Sequence, residues 1–301
     1  MRTKTKQCVV KRGYGNSVHF PLPDRPLLNK IRFENLRIEY IDHSVIEFLR
    51  ANQQIWDKGT DLTLYMPHAH NAKNVQPIWD VFAREIWPIF APNIRHLSFF
   101  DADHLDDLRR HSSPTVLTDF NIISIHSENL LPDSICDDGP NATVGQALSK
   151  WLNTPTSDGQ PKQLSCRDYD HPSDTMINDF KEAFLRATTT SSASYIIRVQ
   201  VFDPTEIVAP FELMNERTNE KLTLAKEKYD ENVDEKDDDF VLLLKRCKIG
   251  ATVQWEDKTT DNLNNVNFTL YNWSNCIGPL APTKSGPNEC KRLSENASRA
   301  Q

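Results

Sequence analysis

The sequence predicts an α/β fold of repeated strand–helix units, an irregular leucine-rich-repeat-like solenoid or layered sheet, with a small C-terminal antiparallel β addition. Three observations lead there. From residue 31 to residue 202, segments of period-two hydrophobicity alternate with segments of helical period. Strand centres fall near 36, 63, 97, 123, 164 and 198, about 26 to 41 residues apart, against about 20–29 in leucine-rich solenoids. After residue 205 the helical spacing gives way to short strand-like runs around polar turns. Each strand–helix unit is amphipathic and needs neighbours to bury its face. A doubly wound sheet satisfies the same pattern. Because no glycine loop marks a switch point, the stacked arrangement is favoured.

Residues 1–26 read as a flexible N-terminal segment rich in basic residues and proline. The repeated β/α domain spans 27–204. In IRFENLRIEY (31–40), Leu36, Ile38 and Tyr40 point opposite to Arg37 and Glu39, as in a strand. Residues 42–56 follow as a helix, with Ser44 and Glu47 spaced for a capping box and Val45, Phe48 and Leu49 on one face. DLTLYM (61–66) is a strand. Residues 75–90 are a helix with Val75, Trp79, Phe82 and Ile86 inward, which Pro88 ends or kinks. IRHLSFF (94–100), a short helix over 101–111 and NIISIHS (121–127) continue the alternation. In GQALSKWLNTPTSDGQPKQL (145–164), Val144, Ala147, Leu148, Trp151 and Leu152 form an apolar stripe behind a Thr143–Gln146 capping box. Asn153 and Pro155 stop that helix, and Ser157-Asp158-Gly159 turns the chain. KQLSCRD (162–168) is a strand, TMINDFKEAFLRA (175–187) a helix and SYIIRVQVF (194–202) a strand.

An antiparallel β subdomain is expected over 205–256. PFELMNERTNEKLTL (210–224) reads as two strands around a turn, and FVLLLKRCKI (240–249) as a third. Between them, 225–239 is dense in charge and reads as a solvated acidic loop. Residues 257–301 are rich in Asn, Thr, Ser and Pro and read as a poorly ordered tail.

The 301 residues can bury a substantial core, as one large domain or two modest ones. A net charge of −7 and the lack of a basic stripe argue against nucleic acid as partner. No apolar run has the roughly 18 residues that would span a membrane. The basic N-terminus lacks the apolar core of a secretory signal. The cysteines, Cys8, Cys136, Cys166, Cys247, Cys276 and Cys290, form no CxxC pair and read as reduced thiols of the cytoplasm or nucleus. Sequons at Asn141, Asn267, Asn272 and Asn296 then read as chance.

GQALSKWLNTP followed by DGQPKQL, then YIIRVQVF, PFELMNERTNEKLTL and FVLLLKRCKIG, resemble in content and order the expanded nematode F-box-associated protein family. The resemblance covers residues about 30–250. It implies a target-recognition region of a ubiquitin-ligase receptor, whose N-terminal F-box docks on the ligase adaptor. The sequence departs from the family at Lys248, where proline is usual, and in the tail. Residues 1–26 have neither the length nor the apolar periodicity of an F-box. LPDSIC (131–136) resembles an F-box opening but runs into DDGPNAT instead of an apolar helix. The F-box is therefore expected to be missing. An unidentified target protein is the expected partner, and the adaptor would be one only through a divergent F-box.

Other candidate chemistry reduces to ordinary structure. His68 and His70 could share a strand face as zinc ligands, but Pro67 and HNAKN read as a loop. Cys166, with Asp168 and His171 nearby, admits a thiol-dependent hydrolase; a small buried core residue is the simpler reading. The acidic run 227–239 lacks the glycine and ligand spacing of a calcium loop. Trp79 and Trp151 sit on apolar helical stripes and read as core, while Trp87 falls off its stripe and is left as core or interface anchor. No GxSxG, Walker, HExxH or dinucleotide motif occurs. The sequence thus assigns no catalytic or metal residue and no cofactor. It favours a non-catalytic protein-interaction module over the hydrolase, or over a fragment without independent function.

Overall fold

The computed structural model of the protein describes residues 8–13, 16–21, 36–38, 41–57, 59–66, 76–128, 130–168, 174–188, 193–201, 209–228, 240–251, 253–254, 264–270 and 280. Its strands are β1 Cys8–Gly13, β2 Asn16–Pro21, β3 Leu36–Ile38, β4 Thr60–Tyr65, β5 Ile94–Phe99, β6 Ser124–Glu128, β7 Lys162–Asp168, β8 Tyr195–Val201, β9 Phe211–Asn215, β10 Glu220–Lys228, β11 Phe240–Lys248 and β12 Asn264–Thr269. The helices are α1 His43–Ala51, α2 Gln53–Trp56, α3 Gln76–Val81, α4 Trp87–Phe90, α5 Ala102–His111, α6 Val144–Asn153 and α7 Asp174–Arg186.

Ten strands form one sheet in the order β3-β12-β4-β5-β6-β7-β8-β11-β10-β9. The first seven run parallel and the last three alternate antiparallel. The α/β class holds. From β4 to β8 the strands lie side by side in chain order, with no reversal. One apolar row crosses all ten strands, running Leu36, Val266, Leu62, Leu97, Ile125, Leu164, Ile197, Leu244, Leu224 and Phe211. This inner face and the apolar sides of the helices form a single core. Because side chains alternate along each strand, the residues between these positions face the other way.

Local chemistry explains most boundaries. Thr143 and Gln146 make the predicted capping box at the start of α6, with reciprocal bonds of 3.1 and 3.0 Å. At α1 the cap is instead Asp42, two residues before the expected Ser44. Its carboxylate accepts the Val45 amide at 3.1 Å and also the Ser44 hydroxyl at 2.8 Å. Between α3 and α4 lies a π-turn, Phe82–Ile86, in which the Trp87 amide reaches back to the Phe82 carbonyl. The wider turn admits Pro88, which has no amide to donate, and shifts the helix face by about one residue. That shift carries Trp87 into the core, against Phe82 and Phe120, and settles it as packing.

Four sequence expectations change, the first being that residues 225–228, expected within the acidic loop 225–239, extend β10 and pair with residues 240–243 of β11. In the N-terminal segment expected to be flexible, β1 and β2 pair antiparallel, Cys8 opposite Pro21 and Gly13 opposite Asn16. The antiparallel strands β9–β11 are no separate subdomain: β11 bonds directly to β8, and Leu222, Leu224, Leu242 and Leu244 share the main core. Within the tail, β12 is an interior strand, with Val266, Phe268 and Leu270 fully buried. Its alternating V-x-F-x-L pattern sits inside a polar composition that masks it.

Candidate functional site

Two groups of side chains stand out, one on each face of the sheet. On the outer face, one row runs along the carboxyl ends of the strands: Tyr65, Phe100, Glu128, Arg167 and Gln200. A second row beside it holds Asn267, Thr63, Ser98, His126, Ser165 and Arg198. Phe100 is 50% exposed and its ring lies 6.2 Å from that of Tyr65. Arg167 pairs with Glu128 at 3.6 Å. Toward β8 and β11 the face turns apolar, where Ile196, Val241 and Leu243 pack with Val253. An aromatic pair, two arginines and neutral polar groups thus share one partly exposed surface. Aromatic residues and arginine are enriched at protein–protein interfaces. Alternation in the sequence sets Thr63, Tyr65, Arg198 and Gln200 opposite their apolar neighbours; it gives no reason to single out Tyr65 or Phe100.

On the inner face, at the amino ends of β7 and β8, a buried polar cluster joins the parallel strands to the antiparallel ones. Lys162, Tyr195 and Arg246 are lateral neighbours on β7, β8 and β11. Arg246 pairs with Glu220 at 2.8 Å, their side chains 11% and 1% exposed. The guanidinium also donates to Asn153 Oδ1 at 2.9 Å and lies over the Phe184 ring. Asn215 donates to the Phe184 and Ala187 carbonyls at the end of α7, at 2.7 and 3.0 Å. Lys162 Nζ donates to the Trp151 carbonyl at the end of α6 and sits 5.0 Å from that indole. Trp151, Asn153, Lys162, Asn215, Glu220 and Arg246 lie in the stretches quoted above, WLNTP, DGQPK, PFELMNERTNEKL and KRC, and the fold brings them together. The charges of Glu220 and Arg246 were legible as in phase with Leu222 and Leu244, on the apolar side of their strands. This cluster ties helix ends to the sheet.

Burial lowers the Lys162 ammonium pKa to about 7. In the unfolded chain the same group keeps its proton up to the ordinary lysine range. Between those values the unfolded state binds more protons, so raising the pH stabilises the fold. Near the ordinary thiol value of 9 the trend ends, because burial raises the pKa of the Cys136 and Cys247 thiols and deprotonation then favours the unfolded chain. Unfolding free energy is therefore expected to rise from about pH 7 to about pH 9. Lys162→Met should flatten that rise in denaturant titrations at stepped pH. An equal slope in wild type and variant would remove Lys162 as its source.

The other candidates fare differently. Cys166 is 1% exposed, on the inner face beside Val199, and its Sγ accepts the Leu130 amide at 3.3 Å. A thiol held in the core is not presented to a substrate. His68, His70 and His171 lie outside the described residues, as do residues 229–239 of the acidic run. Trp79 and Trp151 are fully buried, and the Trp151 indole donates to the Ile122 carbonyl at 3.1 Å. Of the sequons, Asn141 is exposed in a turn and Asn267 lies within β12. Among the described residues no helix is long and apolar enough to cross a membrane. Comparison with family models, curated proteins and solved structures finds no match.

Proposed function

We propose that the chain is a non-catalytic protein-interaction module, the target-recognition region of an F-box-associated receptor, with a singly wound, leucine-rich-repeat-like parallel core. The observation that carries this reading is the outer carboxyl-end surface, where the half-exposed Phe100 ring lies tilted against Tyr65, in the row of Arg167 and beside the row of Arg198. Consecutive strands each contribute a side chain to a row, and the helices on the opposite face hold those strands in place. A partner is read by the rows and anchored by the aromatic pair. The quoted sequence stretches favour the family because, in this reading, they supply much of the buried scaffold beneath the rows.

The test is affinity capture of tagged full-length chain from its native extract, comparing wild type with Phe100→Ala and Arg198→Glu. Affinity for a specific protein retained by wild type should fall about thirtyfold in either variant, the loss of an anchor of about 2 kcal/mol. Equal capture by all three would sink the assigned surface. Recovery of the ligase adaptor and cullin with that protein would support receptor membership; a target recovered without them would support a stand-alone module.

A further inference from the structure

β3 and β4 are successive parallel strands joined through α1 and α2, yet they do not pair with each other. β12 lies between them and bonds to both. Its hold is complete and local to that slot. Phe268 meets the Phe82 ring edge-on at 5.2 Å and the Phe90 ring at 6.0 Å, with Val266 and Leu270 buried on either side. Asn264 Nδ2 donates to the Ile55 carbonyl at 2.8 Å, and the Leu270 amide to the Tyr65 carbonyl at 2.9 Å. Among the described residues, none of these partners belongs to β9, β10 or β11, the elements that precede β12 in the chain.

β11 and β12 are six strand steps apart in the sheet, about 29 Å at about 4.8 Å per step. Residues 249–251 turn at the end of β11 and Val253 packs against Ile196, Val241 and Leu243, so the ten residue steps from Gln254 to Asn264, up to about 35 Å when extended, cover that distance. The slot therefore holds β12 through contacts that do not depend on which chain supplies the strand.

We propose that the gap between β3 and β4 is a strand-acceptor site for an extended peptide of Val-x-Phe-x-Leu pattern, and that a second copy of this chain fills it with its own Asn264–Leu270. Closed monomer and strand-exchanged dimer make the same contacts, so concentration against the tether's effective concentration, of millimolar order, decides between them.

Thr63 and Asn267 face each other across β4 and β12. In full-length chains with Cys136→Ser, one carries Thr63→Cys and the other, with a different tag, Asn267→Cys. The two are incubated together at concentrations approaching millimolar with oxidised glutathione. Disulfide joining the two tags is expected at roughly tenfold the yield of a control pairing Asn267→Cys with Asn219→Cys, and free peptide NNVNFTL should suppress it. Joining no greater than the control would overturn the proposal, provided the same two cysteines placed in one chain bond readily.

Discussion

Replacing Glu220 by alanine is expected to destabilise the fold by about 3–5 kcal/mol in guanidinium unfolding. The carboxylate is 1% exposed and pairs with Arg246, which is itself enclosed by Asn153, Phe184 and Tyr195. Alanine leaves that guanidinium, 11% exposed, without its counter-charge. The converse holds for the pair as a whole. Glu220 Oε1 and Arg246 Nε are buried without a hydrogen-bond partner among the described residues. An incompletely bonded ion pair is a weak source of stability compared with apolar packing. The double variant Glu220→Leu/Arg246→Met should therefore recover most of the loss. A Glu220→Ala loss below about 1 kcal/mol, the size of an exposed pair, would show that solvent reaches the pair.

Phe268→Ala is the second large effect, again about 3–5 kcal/mol. The ring is fully buried among Phe82, Phe90 and the strands beside it, and its removal opens a cavity that rigid strands cannot close. A residue in a loose tail would instead change stability by less than about 0.5 kcal/mol. Denaturant midpoints of wild type and variant separate the two cases directly. A small shift would mean that β12 contributes nothing to the core.

The parallel half of the fold was legible because each element there obeys its own period. β7, α6 and β8 fall within one or two residues of their expected bounds, since capping chemistry and alternation agree at each of them. What stayed hidden depends on partners distant in sequence. Nothing local to Asn264–Thr269 says that its neighbours are β3 and β4. Nothing in FVLLLKRCK says that Arg246 meets Glu220, although the phase of both charges places them inward. Trp87 looked ambiguous because a regular helix was assumed, and the π-turn changes the phase. The outer surface was the least legible, since a half-buried Tyr65 and an exposed Phe100 carry no distinguishing local pattern.

The position of β12 also sets an order of events during synthesis. β4 is complete at Tyr65, but the strand that seals its edge is not made until Thr269. At translation rates of about 5–20 residues per second, the ribosome spends about 10–40 s between the two. For that interval the nascent chain carries an open, apolar-lined sheet edge beside Leu62 and Leu64. Contacts of such long sequence separation also slow folding after release. The newly made chain is accordingly exposed to chaperone capture, and to pairing with its neighbours on the same polysome, for most of its synthesis.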